Sequence, residues 1–250
     1  MPSTWVKALV YPLFFLLCTV FFLIRGFPIE MIGERIKQQA DEQLGMKLSY
    51  ASLETSFPNG ISASTVRLMK PSDKEGETGF MLTLDEAEAS ISLLGLLMGD
   101  KDISLDLALL GGRIRGDVKI DQQAPTLDLK LSTLDLAKLP IWQDLIGLPL
   151  SGKLNGEIDL KMDKDIKKTK GSINLNVEQA ALGEGKVKGF DSPPINLGKP
   201  QILLELDAGK ADIKTCKISS DDVEASMEGY FLLQKQLSRL TAKTKIHFKL

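Results

Sequence analysis

The side chains that could carry out acid–base or nucleophilic chemistry are few in this chain. It has one histidine, His247, which lies in an alternating run close to the last residue, and two cysteines, Cys18 and Cys216, which lie in segments of opposite character. A hydrolytic site needs a nucleophile, a base and a group that orients the base. An isolated histidine on a strand supplies one of these, so we predict no catalytic residue and do not expect an enzyme.

Carboxylates are the remaining candidates for binding a metal ion. Asp159, Asp163 and Asp165 cluster in the sequence, but several lysines are interspersed among them. A calcium loop needs a denser set of oxygen ligands and a glycine inside the loop, and segments of mixed charge are usually solvated. Neither a phosphate-binding loop nor a nucleophile-elbow motif occurs. The sequence therefore predicts no metal and no cofactor.

The overall charge narrows the class of partner. The chain carries 31 Lys and Arg against 33 Asp and Glu, which gives a net charge of -2. Binding to nucleic acid needs a concentrated basic face, so nucleic acid is not expected to be the main partner. Cys18 lies in an apolar segment, and Cys216 is therefore the only thiol of the polar part. The absence of a disulfide framework is compatible with a bacterial envelope protein that has a core of sufficient size.

The elements that must position these residues follow one long apolar run, Ala8–Ile24. This run is flanked by Lys7 and Arg25. A helix of this length measures roughly 26 Å, close to the hydrocarbon thickness of a bilayer. A cleaved secretory signal is the alternative, but it has a shorter apolar core and a small-residue cleavage site. We predict a short tail over 1–7 and a transmembrane anchor over 8–25. The anchor residues are Ala8, Leu13, Phe14, Phe15, Leu16, Leu17, Val20, Phe21, Phe22, Leu23 and Ile24.

The segment after Pro28 has a helical period. Its apolar residues recur at spacings of three and four and form one stripe, and Gly45 is a suitable C-cap. This pattern predicts a juxtamembrane amphipathic helix over 29–45. Its stripe could bind a surface or a partner, but the polar face is not strongly basic. Packing on the first strands of the domain is therefore the favoured interpretation.

From Lys47 onwards apolar and polar residues alternate, as in Leu127–Leu131, Ile103–Leu107 and Ile173–Val177. Alternation gives each strand one apolar and one polar face. Turn residues separate the runs, and no long crossover helices intervene. The pattern predicts a mainly β domain over 47–250, with about ten strands in a mostly antiparallel sheet.

Glycines recur in two similar strands, at Gly112 and Gly116 and again at Gly152 and Gly156. A glycine inside a strand marks a bulge, a bend or a close approach of another backbone. We therefore predict that the sheet is strongly curved. Short helical plugs at 92–98 and 134–146 are expected to cover an end or edge of the sheet. Trp142, in the second plug, is interpreted as a packing residue rather than a binding anchor.

Three of the alternating runs should place large aliphatic side chains on a common apolar face. We call this set the trough: Leu127, Leu129, Leu131, Ile158, Leu160, Ile173 and Leu175. An open trough could enclose acyl chains of a lipid, whereas a tightly packed one would be an ordinary core. Alternation alone does not separate the two, because an apolar face covered by a second sheet has the same pattern.

Several short motifs occur in a recognisable order: FPNGI at 57–61, SLLGLL at 92–97, LGGRIRG at 110–116 and GLPLSGKLNG at 147–156. In this order the chain resembles the bacterial type II secretion system protein N family and, more widely, AsmA-like envelope proteins. The resemblance implies a single-pass protein of the bacterial inner membrane, with its C-terminal domain in the periplasm. It implies a non-catalytic scaffold that is an accessory component of the type II secretion system. The alternative it implies is an AsmA-like protein that binds or transfers lipids on the apolar face of a curved sheet. The expected partners are membrane lipids, with a phospholipid as possible ligand, and other secretion components or envelope proteins.

Overall fold

The computed structural model describes residue 15 and residues 29–56, 59–70, 80–92, 95, 102–120, 124–139, 141–163, 165–187, 190–232 and 241–249. The predicted tail and anchor lie outside these residues except for Phe15, which is helical and 73% exposed. Among the residues described, no helix is long and apolar enough to cross a membrane.

Helix α1 spans Ile29–Leu44 and ends one residue before the predicted position. Gly45 adopts the left-handed conformation with a φ of 61°, and its N–H donates to the Asp41 carbonyl at 3.0 Å. Gly33 faces the sheet, because a Cβ added there would overlap the Tyr50 hydroxyl and crowd Leu53. The helix backbone therefore packs directly on the first strands.

Sixteen strands follow in the described part of the chain. Their bounds are β1 Lys47–Ser49, β2 Ser52–Ser56, β3 Gly60–Lys70, β4 Phe80–Ile91, β5 Asp102–Leu109, β6 Gly112–Lys119, β7 Thr126–Asp135, β8 Leu150–Lys161, β9 Lys170–Leu182, β10 Gly185–Val187, β11 Phe190–Ser192, β12 Ile195–Gly198, β13 Gln201–Asp207, β14 Lys210–Ser219, β15 Glu224–Leu232 and β16 Thr241–Lys249. The prediction of about ten strands was too low, partly because short strands such as β10, β11 and β12 lack a long alternating run.

Fourteen of the strands form one sheet, and β10 and β11 form a separate small ribbon. From β3 to β9 each strand pairs with the next one along the chain in antiparallel fashion. β13 and β12 both pair with β9, and β14, β15 and β16 complete the sheet. The one parallel pairing among the described strands joins Gly198 of β12 to Ser219 of β14. The predicted mainly β, mostly antiparallel fold is confirmed.

Two kinds of irregularity interrupt the pairing. The register shifts in β7 near Thr133 and in β9 near Gln179, and both residues have positive φ, at 53° and 54°. Such bulges bend a strand and increase its twist. At Gly116 and Gly171 an added Cβ would overlap the carbonyl oxygen of Asp128 or Asp159 on the neighbouring strand. These two glycines therefore mark close approaches between backbones.

A cluster of buried hydrophobic residues lies in the first half of the sheet. It consists of Val66, Leu84, Leu109, Leu131 and Leu134, on strands β3, β4, β5 and β7. Helix α1 packs beside these strands. No large side chain in the described ranges is completely buried, so the hydrophobic core is thin for a chain of this length.

The second predicted plug forms a 3-10 turn, Leu136–Lys138, followed by a short helix, Ile141–Ile146. The Trp142 indole N–H donates to the Leu136 carbonyl at 2.8 Å, and the Leu136 side chain is buried. Trp142 itself is half-buried and lines a cavity beside Leu139. Of the first plug the structure describes Ser92 and Gly95, and the Ser92 hydroxyl accepts from the Gly95 N–H at 3.1 Å as an N-cap does.

Asp135 holds the second plug to the sheet. Its carboxylate accepts from the Ala137 N–H at 3.2 Å and pairs with the Lys153 ammonium at 2.8 Å. The hydrogen bond from Lys153 holds the pKa of the Asp135 carboxyl below its usual value. The ion pair therefore stabilises the fold above the ordinary aspartate pKa, and this stabilisation is lost as the pH falls through the depressed pKa.

We expect Asp135→Ala to lower the free energy of unfolding by about 1 kcal/mol at neutral pH, because it removes both the cap and the ion pair. Asp135→Asn keeps a capping oxygen and should lose less. Urea unfolding at neutral pH and again near pH 3 checks both changes, since the difference between wild type and Asp135→Asn should shrink at the lower pH. A difference that grows on acidification would contradict the assigned ion pair.

Candidate functional site

The trough residues lie on one face of three neighbouring strands, β7, β8 and β9. Leu127 lies opposite Leu160, and Leu129 lies opposite Ile158. Ile158 in turn lies opposite Ile173. Directly paired residues share a face of the sheet. Leu131 and Leu175 join the same face because both pair with Gly156, and the structure thus brings all seven residues together.

Most of this face is only partly covered, although Leu129, Ile158 and Leu175 pack against the buried core cluster. Leu131 is the one buried trough residue, at 9% exposure, and the other six are partly exposed. Within the described elements, the substantial contacts join paired strands, helix α1 with β1 and β2, and the 3-10 turn with β8. No second sheet in this part of the chain packs over the trough. Part of the surface of its aliphatic side chains therefore remains available to a ligand or a partner.

The apolar face extends beyond the seven residues on both sides. Ile114 of β6 pairs with Leu131, and Leu107 of β5 pairs with Ile114. On the other side Leu204 of β13 pairs with Ile173. The alternation of Ile103–Leu107 predicts β5, but neither β5 nor β13 was predicted to belong to the trough. Their alternation was a sufficient signal for the face, and the missing information was which strands are neighbours.

Glycines interrupt the aliphatic rows of this face. Gly116 lies between Leu105 and Leu129, and Gly171 lies between Leu160 and Leu206. Each glycine leaves the face without a side chain at that position. Each glycine therefore separates the leucines on either side of it and leaves a shallow depression between them.

The opposite face is charged and largely solvated. Asp106 pairs with the Arg113 guanidinium at 3.0 Å and with the Arg115 guanidinium at 2.8 Å. Lys170 beside Asp207 lowers the pKa of that carboxyl through a hydrogen bond. The sheet therefore has one apolar face and one polar face. A single layer that lies between water and an apolar ligand needs such a pair of faces.

A small cavity lies where the apolar face meets helix α1. It has a volume of about 160 Å³ and is enclosed by α1 and strands β1 to β5. Its lining includes Gly33 and Ile36 of the helix and Ala63, Ala87 and Leu107 of the sheet. Sequence reasoning did not find this cavity, because alanines within strands carry no signal of empty space above them.

The structure also places the residues that were considered for catalysis or metal binding. His247 is exposed on β16. Cys216 is partly buried on β14, and burial raises the pKa of its thiol. Across the described ranges, no group of three His, Cys, Asp or Glu residues is arranged to hold a metal ion.

Comparisons with family models, with curated proteins and with solved structures found no match for this chain. The proposed function therefore rests on the geometry of the apolar face.

Proposed function

We propose that this chain is an envelope protein of the bacterial inner membrane that binds the acyl chains of phospholipids on its open apolar face. The observation that carries the proposal is the exposure of the trough: six of its seven side chains remain partly exposed on a face that no second sheet of the described structure covers. The predicted anchor over 8–25 would hold this face at the membrane surface.

The physical argument concerns the missing second layer. A sheet with one apolar face is normally stabilised by burying that face against helices or another sheet. Extended apolar patches that stay exposed are typical of sites that bind proteins, membranes or ligands. Each Å² of apolar surface removed from water contributes about 25 cal/mol. Acyl chains lying along the trough would supply the second layer without any polar contact from the protein.

The shape of the sheet supports the same proposal. Bulges such as those at Thr133 in β7 and Gln179 in β9 bend and twist strands that carry the trough. We propose that these features curve the sheet around its ligand. The resemblance to AsmA-like envelope proteins agrees with this role.

A scaffold role in the type II secretion system, as in protein N, is the second candidate. It is favoured by strand β16, which in the described structure pairs with β15 and with no other strand. A strand edge of this kind can bind an extended segment of another protein through backbone hydrogen bonds. Ile246 on this strand is 68% exposed, so the edge also offers an apolar contact.

One experiment tests the proposal. The full chain is purified in mild detergent, and its co-purifying phospholipid is quantified by mass spectrometry after extensive washing. The control is residues 1–28 fused to an unrelated soluble domain, which retains lipid around the predicted anchor only. We expect the full chain to hold at least about one more phospholipid per molecule than the control, because the trough buries acyl chains.

A second experiment separates the lipid-binding role from the scaffold role. A photo-crosslinking residue at Ile246 reports contacts of the β16 edge inside cells. Lipid no higher than in the control would overturn the lipid proposal, and crosslinks from Ile246 to secretion components would then favour the scaffold. Lipid clearly above the control supports the proposal whether or not crosslinks form.

A further inference from the structure

The cavity under helix α1 lies at one end of the apolar face. The helix approaches the sheet closely at Gly33, where the Tyr50 hydroxyl occupies the space of a side chain. Beneath the helix the sheet presents the small residues Ala63, Ala87 and Ala89, so the cavity of about 160 Å³ stays open between the two layers. Larger side chains at the same positions would fill it.

The chemistry of this cavity suits hydrocarbon. Glu88 is the charged member of its lining, and the Glu88 carboxylate accepts a hydrogen bond from the Ser56 hydroxyl. No buried side-chain polar atom of the described residues lacks a partner. A dry, apolar cavity of about 150 Å³ has room for a six-carbon ring. The cavity could therefore hold roughly six carbons of an alkyl chain.

The cavity and the trough belong to one continuous face. Leu105 lines the cavity and pairs with Gly116 on β6, which pairs with Leu129 of the trough. Neighbouring strands lie about 4.8 Å apart, so β5 and β7 are separated by roughly 10 Å. A chain that lies across the trough can thus continue under the helix. A polar headgroup cannot follow, since burying it without hydrogen-bond partners is unfavourable.

We infer that the cavity under α1 receives the methyl end of a bound acyl chain and thereby sets the preferred chain length. This inference rests on the proposed lipid-binding function of the apolar face. Helix α1 lies over this end of the face and limits how far a chain can extend, while the headgroup stays over the trough. Long saturated chains that reach the cavity bind more tightly than short ones.

The test changes the size of the cavity in both directions. Ala87→Phe fills it, and Leu53→Ala enlarges it. Ala108→Phe is the matched control, because Ala108 pairs with Glu86 and Arg113 on the polar face. Each full-length variant is incubated with mixed micelles that contain equal amounts of dilauroyl-, dimyristoyl- and dipalmitoyl-phosphatidylethanolamine. Bound lipid is then quantified by mass spectrometry, and thermal unfolding checks the fold.

Each methylene group of a bound chain that a filled cavity leaves in water weakens binding by about fourfold. Filling the cavity should therefore lower the ratio of bound dipalmitoyl to dilauroyl lipid by about tenfold or more, and enlarging it should raise that ratio. Ala108→Phe should leave the ratio as in wild type. If Ala87→Phe fails to fold, the Leu53→Ala arm decides the question alone.

The outcomes separate this inference from the function on which it rests. Lipid binding with an unchanged ratio in the folded cavity variants overturns the inference and leaves the proposed function intact. If wild type binds no more lipid than the anchor control, both the inference and the proposed function are overturned. A ratio that follows cavity size in the two directions supports both.

Discussion

Replacing Gly171 by alanine should lower the free energy of unfolding by about 3 kcal/mol or more. Gly171 has a φ of 151°, a conformation that other residues rarely adopt, and its added Cβ would overlap the Asp159 carbonyl oxygen. That oxygen belongs to the backbone of the neighbouring strand, so it cannot move without breaking the pairing of β8 and β9. A loss of this size is a large part of the stability of an ordinary domain, about 5–15 kcal/mol.

The measurement is urea-induced unfolding of the full-length variant, with Gly45→Ala as the matched control. Gly45 also has positive φ, at 61°, but a Cβ added there meets nothing within 4 Å. Its replacement should therefore lose only the conformational contribution, about 1 kcal/mol. Equal losses in the two variants would show that the Asp159 carbonyl does not approach Gly171 as closely as the structure has it.

The faces of the strands could be predicted from the sequence because alternation is a local property. In Leu127–Leu131 every second residue is leucine, and backbone geometry alone places those leucines on one side. Neighbours were also partly predictable, since strands joined by short turns usually pair. The pairing of β8 with β9 follows this rule, whereas β7 pairs with β8 even though the plug separates them in sequence.

The remaining features depend on contacts that have no local signature. Thr133 and Gln179 adopt positive φ at bulges, yet neither residue type favours that conformation as Gly or Asn does. Nothing in the alternation of β5 shows that Leu107 lies under helix α1. The cavity there exists because Gly33, Ala63 and Ala87, distant in sequence, meet in the fold, and small residues are equally common in tightly packed positions.

The second large effect is expected at the centre of the trough. Leu129→Glu should reduce co-purifying phospholipid by about tenfold or more while the protein remains folded. Leu129 is partly exposed, so a carboxylate there keeps contact with water in the lipid-free protein. An acyl chain lying over it would remove that water, and an unpaired charge in hydrocarbon is strongly unfavourable. The substitution therefore acts mainly on the lipid-bound state.

Two further variants make this result specific. Lys130→Glu introduces the same side chain at the adjacent position, which faces the polar side near Glu157, and it should leave bound phospholipid unchanged. Leu131→Glu places the carboxylate on the apolar face but in the buried core cluster. It should lower the free energy of unfolding by about 3 kcal/mol or more, because only 9% of Leu131 is exposed.

The pattern across the three variants distinguishes an open face from a packed one. If Leu129→Glu unfolds the protein as Leu131→Glu does, the trough is a core and the scaffold role gains support. If Leu129→Glu folds and keeps its phospholipid, the lipid lies elsewhere on the molecule. If Leu129→Glu loses its lipid but stays stable, and Leu131→Glu loses stability, the centre of the face is exposed to its ligand. Its margin is then part of the core.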